Sequence, residues 1–159
     1  MAPTLQWVLH SHDLARSLAR AQAFVTEAPE RTLMERYTTW GYLGIRNAAL
    51  ERLDVSAQAY SRAADAISTP HILHQWAAVE MMRRHFSDAR DIYGRIVERN
   101  PRDAFAWWSM AGASSQIPDW PAAYRATLRT IALDSTNTAA RGALEMMRQA
   151  HPELVRSSR

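Results

Sequence analysis

Side chains whose type and spacing could do chemistry are few. His71 and His74 stand three apart, a spacing that can bring two imidazoles to one metal ion. No cysteine exists anywhere and no carboxylate follows in register, so these two read as lining residues rather than ligands, and no metal or cofactor is expected. The "HSH" at His10–His12 is weak for the same reason. A glycine-rich phosphate loop, a G-x-S-x-G elbow, an H-E-x-x-H motif and a paired-carboxylate pattern are all missing from the sequence. No catalytic residue is assigned, and the sequence reads as that of a non-enzyme.

Charge excludes little more. The 159 residues carry a formal charge of +3, and all 19 basic residues are arginine. Most alternate with acids, as in "DARDIYGRIVERNPRD", the pattern of a solvated helix face. Arg83 and Arg84 in "MMRRHF" fall at a helix end, where a positive charge suits the local dipole, so nucleic-acid binding is not expected. The first residues, "MAPTLQWVLHSHD", have neither a basic leader nor an apolar run of signal length, and no later segment approaches the roughly 20 apolar residues of a membrane span. A cytoplasmic location is the expectation, and freedom from cysteine fits a reducing compartment.

The elements that would hold these side chains are helices. Glycine is sparse, and proline falls between apolar-periodic segments rather than inside them. Expected N-caps are Ser11, Asp54, Thr69 (with Pro70 as first helical residue), Ser87, Asp119 and Asn137. Helices of about a dozen residues joined by two or three must form antiparallel hairpins. The hairpins repeat. Phe86 and Trp120 are 34 apart, as are Ala89 and Ala123, and Tyr60 and Tyr93 are 33 apart.

A period of about 34 residues made of two helices resembles the tetratricopeptide repeat, whose pattern runs W-x2-L-G-x2-Y, then A-x3-F, then P. Trp40, Leu43 and Gly44 match in "WGYLG", followed by Ser56, Tyr60 and Ala63. The second unit offers Leu73, Trp76, Ala77, Phe86, Ala89, Tyr93 and Pro101. The third offers Trp107, Met110, Ala111, Trp120 and Ala123. Ser68 and Ser135 replace proline, Asn47, Glu80 and Ser114 stand where the first helix would carry tyrosine, and Thr127 stands where the second would carry an aromatic. The expected architecture is all-α, antiparallel helical hairpins stacked as a short right-handed α-solenoid. Residues 1–36 would be an N-terminal segment and capping helix, 37–137 three repeats, and 138–159 a partial fourth repeat or capping helix with a short tail. In "DLARSLARAQAFV", Leu14, Leu18, Ala21 and Val25 share one stripe, which could cap the first repeat, fold back into the groove or swap between protomers.

Within each first helix, pattern positions 4, 7, 8 and 11 share the core stripe, which makes Trp40, Trp76 and Trp107 packing residues. Positions 2, 5, 9 and 12 lie opposite, and the resemblance places them on a concave face. That stripe reads Thr38, Gly41, Ile45, Ala48, then His71, His74, Ala78, Met81, then Phe105, Trp108, Gly112, Ser115, without a charge. Proteins of this class serve chiefly as binding platforms. One well-known use grips a peptide carboxylate with lysine, arginine and asparagine on this face, a set this sequence lacks.

The expected function is a protein–protein interaction module, an adaptor or scaffold subunit that binds an apolar segment or helix of a protein partner in its groove. The contacts would be Thr38, Ile45, His71, His74, Ala78, Met81, Phe105 and Trp108. The alternatives are a cytoplasmic chaperone for a secreted or membrane-inserting protein, similar in size and layout to the chaperones of type III secretion translocators, and a regulatory accessory subunit of an enzyme. Self-association is a further possibility for so large an apolar face.

Overall fold

The computed structural model describes residues 14–27 and 31–156, so the expected cap Ser11, the "HSH" run and the last three residues lie outside it. Every regular element among the described residues is helical: α1 (Leu14–Thr26), α2 (Leu33–Ala49), α3 (Leu53–Ala66), α4 (Pro70–Met82), α5 (Phe86–Arg99), α6 (Ala104–Gln116), α7 (Trp120–Leu133), α8 (Thr138–Ala150) and α9 (Glu153–Arg156). The chain divides into two compact units, residues 1–83 with α1 to α4 and residues 84–159 with α5 to α9. Inside each unit a helix packs on its chain neighbour, and α9 returns to α7.

The helix starts follow the chemistry of their first turns. Thr69, Asp119 and Asn137 cap as expected, each side-chain oxygen accepting a backbone N–H three residues on. Asp103 does the same for α6. Two expected caps are displaced. α3 begins at Leu53 after Arg52, and α5 begins at Phe86 after His85, neither with a side-chain cap, so Asp54 and Ser87 sit inside the first turn. Asp54 there still complements the helix dipole. Thr32 and Glu35 form a reciprocal capping box on α2. The Thr32 backbone N–H, then its hydroxyl, hold the Glu35 carboxyl below the usual carboxylate range.

In the first unit the core stripe is as the repeat pattern requires: Trp40, Leu43, Gly44 and Asn47 are all buried. Gly44 is the tightest point. A Cβ built there would lie 2.7 Å from two ring carbons of Tyr60, one of the most completely buried side chains, so the α2 backbone and the α3 ring touch with no room for a methyl group. The Ser56 hydroxyl donates to the Gly44 carbonyl at 2.8 Å and ties the same two turns together. Gly41, expected on the groove stripe, is instead buried, with its absent Cβ 3.3 Å from Ile72 Cδ1 on α4. On α1 the buried face is Ser17, Ala21 and Phe24, with Leu18 and Val25 at its edges. The Ser17 hydroxyl bonds the Tyr42 hydroxyl on α2, and the Arg31 guanidinium covers the Phe24 ring at 4.0 Å.

In the second unit Ala89, Tyr93, Ala111, Ser114, Ala123 and Thr127 are buried. Trp107 is half-buried, its indole N–H donating to the Pro101 carbonyl at 3.0 Å. Ala123, Tyr124, Leu144, Met147 and Leu154 form a core that joins α7, α8 and α9.

Gly44→Ala should cost about 1–3 kcal/mol in urea unfolding, because overpacking outweighs the helix propensity gained. Gly142→Ala, on α8 with nothing within 4 Å of the added carbon, should gain up to about 1 kcal/mol. Equal responses at the two sites would remove the packing argument. Burial also pushes the Tyr60 phenol up to about 12. A group whose pKa is raised on folding contributes stability that is full below its unfolded value, about 10, and that is lost as pH rises toward 12. The unfolding free energy of Tyr60→Phe should therefore fall less steeply with pH across that window than wild type, and parallel slopes would contradict it.

Candidate functional site

The expected partner-binding residues divide between the two units. In the first, Ile45, His71 and Ala78 are exposed, and Thr38, His74 and Met81 are half-buried. The Thr38 hydroxyl bonds the Met34 carbonyl of its own helix, so it offers its remaining lone pairs rather than a free proton. In the second, Phe105 is exposed and Trp108 is half-buried.

Trp108 belongs to a cavity of about 330 Å³ built by α6, α7 and α8. Its α6 wall is Trp108, Ala111, Gly112 and Ser115, its α7 wall is Trp120, Ala123 and Thr127, and α8 adds Ala143, Met146, Met147 and Ala150, with His151 beyond. Its two hydroxyls are turned to their own backbone. The Ser115 hydroxyl donates to the Gly112 carbonyl and the Thr127 hydroxyl to the Ala123 carbonyl, each at 2.8 Å. His151 stacks on Trp120 with ring centroids 4.6 Å apart, and its Nδ1 lies 3.1 Å from Glu153 Oε1. Hydroxyls already engaged in this way leave the walls apolar in effect, so what fits the cavity is hydrocarbon or an aromatic ring.

Trp108 was legible as a lining residue from its place on the helix. Trp120 and the α8 wall were not, since Trp120 reads as core from the repeat pattern and no groove positions are read for the partial fourth repeat. A signal that could have found the α8 wall is the helical spacing of Ala143, Met146, Met147 and Ala150, which share one stripe. A second, larger cavity of about 510 Å³ lies in the first unit, where Ala15, Leu18 and Gln22 of α1 face Leu43, Asn47 and Arg52. None of the expected binding residues lines it.

Glu80 is the only charged side chain among the buried, described residues, at 4% exposure. The Trp76 indole N–H donates to its Oε1 at 2.9 Å and Arg83 Nη1 to its Oε2 at 2.7 Å. Arg83 also donates through Nε and Nη2 to Asp54 Oδ1 at 2.9 and 2.8 Å, linking α4 to the first turn of α3. A carboxylate held by two donors is a structural anchor, and it explains why glutamate can stand where the repeat pattern has tyrosine.

No protein-family model and no curated sequence matches the chain. Among solved structures it is similar to the MamA protein, at 21% identity and TM-score 0.69, over 73% of this chain and 64% of that one. It spans less than two thirds of that protein's length. MamA 41-end from Desulfovibrio magneticus RS-1 is similar over 97% of this chain and 85% of that one, at 14% identity and TM-score 0.69. The first tetratricopeptide-repeat domain of Spaghetti (RPAP3), bound to the HSP90 peptide SRMEEVD, is similar at 18% identity and TM-score 0.65, over 73% of this chain and 93% of that one. The chain has the tetratricopeptide-repeat fold. In this fold α2 packs on α3 and α6 on α7, with the Gly44 backbone against the Tyr60 ring. No helix among the described residues is long and apolar enough to cross a membrane.

Arg83→Met should destabilise the protein by about 2–4 kcal/mol, because it leaves the Glu80 carboxylate buried without its counter-charge. Asp54→Asn, at a side chain that is 82% exposed, should cost less than about 1 kcal/mol. Chemical denaturation of both variants checks this, and a larger loss in the Asp54 variant would contradict it.

Proposed function

We propose that the chain is a non-enzymatic protein–protein interaction module, an adaptor or scaffold subunit that seats an apolar segment or helix of a protein partner. The single observation that carries this reading is the cavity beside Trp108, whose walls are apolar and whose hydroxyls are spent on backbone carbonyls. A cavity of about 330 Å³ suits one or two apolar side chains of a partner, and a large aromatic at its edge is the kind of anchor that dominates such contacts.

The RPAP3 domain with its HSP90 peptide supports the general mode, since there the same fold holds a peptide. The chemistry proposed here differs. SRMEEVD is acidic, whereas the inner stripes of this chain carry no arginine and the whole chain no lysine. Phe105 and Trp108 would contact the partner from the second unit, and Thr38, Ile45, His71, His74, Ala78 and Met81 from the first. The exposed ring of Phe105 and the exposed Ile45 side chain support that assignment, because large apolar groups at binding positions gain most from being covered.

Native mass spectrometry of the tagged chain captured gently from its host, beside Trp108→Arg, tests the reading. Wild type should come out with a stoichiometric partner, and the variant should lose it by tenfold or more while its far-ultraviolet circular dichroism stays within a few per cent of wild type. A complex that survives the substitution would sink the assignment of this site.

A further inference from the structure

Two adjacent thioethers face the cavity in opposite circumstances. Met146 is 66% exposed, and Met147 beside it is 8% exposed and packed in the core with Tyr124, Leu144 and Leu154. Both line the cavity with Trp108 and Trp120. The sequence has no cysteine, so a mild two-electron oxidant finds no thiol and meets methionine first.

We infer that Met146 is an oxidisable gate residue of this cavity, and that converting its thioether to the sulfoxide closes the cavity to apolar occupants; the inference rests on the reading of the cavity as an apolar binding site. The oxidant is a hydroperoxide. With hydrogen peroxide, the O–O bond breaks and an S–O bond forms, the sulfur loses two electrons, and the peroxide leaves as water. The product carries a strongly polar oxygen at the mouth of a cavity whose wall hydroxyls, on Ser115 and Thr127, already donate to backbone carbonyls. An apolar occupant must then cover a sulfoxide that these hydroxyls do not satisfy, and its affinity falls. Met34 and Met82 are also exposed, but neither lines this cavity, so their oxidation leaves it unchanged.

The test uses the full chain and the neutral apolar fluorophore N-phenyl-1-naphthylamine as the occupant. Graded hydrogen peroxide is followed by peptide mass spectrometry for sulfoxide at Met146 and Met147, and by fluorophore titration at each dose. The expected result is sulfoxide at Met146 well before Met147, with affinity for the fluorophore reduced about tenfold as Met146 is converted. Met146→Leu keeps the apolar bulk without the sulfur, so whatever affinity it has before treatment it should hold through the same doses. Wild type that keeps its affinity with Met146 fully converted, or a Met146→Leu variant that loses affinity in parallel, would overturn the inference and leave the cavity reading intact. Absence of fluorophore binding to untreated wild type, or binding that Trp108→Arg leaves unaltered, would overturn the cavity reading and the inference with it.

Discussion

The contact between the Gly44 backbone and the Tyr60 ring sets the distance between α2 and α3, and the rest of the first unit is arranged to permit it. A ring lying on bare backbone brings two helices closer than any side chain would allow, and the Ser56 hydroxyl on the Gly44 carbonyl fixes their axial register at the same level. Trp40 can then be buried one turn before, Leu43 beside it, and Asn47 one turn after, where its amide donates back to the Leu43 carbonyl. The short turn that follows leaves Glu51 at φ 57°, the backbone cost of reversing the chain so soon.

Between them, the two units reconcile an apolar first helix with solvent in different ways. In α4 the repeat's aromatic position is filled by Glu80, whose charge is balanced by Arg83 and steadied by Trp76. In α6 the equivalent residue is Ser114, buried and too small to fill the space of a ring, and no charge appears along the helix at all. A helix with apolar residues on opposite sides needs neighbours on both. α5 and α7 are those neighbours, and where α8 joins α6 and α7 a cavity remains that Trp108 borders.

Much of this was legible in the sequence. The helical period places Trp40, Leu43 and Gly44 on one stripe, and the repeat pattern that they resemble supplies Ser56 and Tyr60 as the small and aromatic positions of the next helix. Thr69, Asp119 and Asn137 were readable because a short polar side chain before an apolar-periodic run has a specific job to do. Asp54 and Ser87 misled for the same reason, since α3 and α5 start without a side-chain cap and the nearest polar residue is not always the one used. The buried face of α1 was misjudged because it includes Ser17, a polar residue whose burial depends on Tyr42 in another helix. The cavity was the least legible feature, being assembled from three helices whose patterns each describe only their own faces.

The brevity of α9 has a consequence for how the second unit comes apart. Four residues cannot sustain a helix by their own hydrogen bonds, so α9 is held by Leu154 and Val155 packed on the α7 and α8 core. Because the helices of this unit pack on chain neighbours, α9 can release without the others. Release of Leu154 removes one side of the core that backs Met147, and with it the wall shared by the cavity. Exposing that wall then takes only the local free energy of releasing the single turn of α9, below that of unfolding the whole unit, so the cavity can open without the helices around it coming apart.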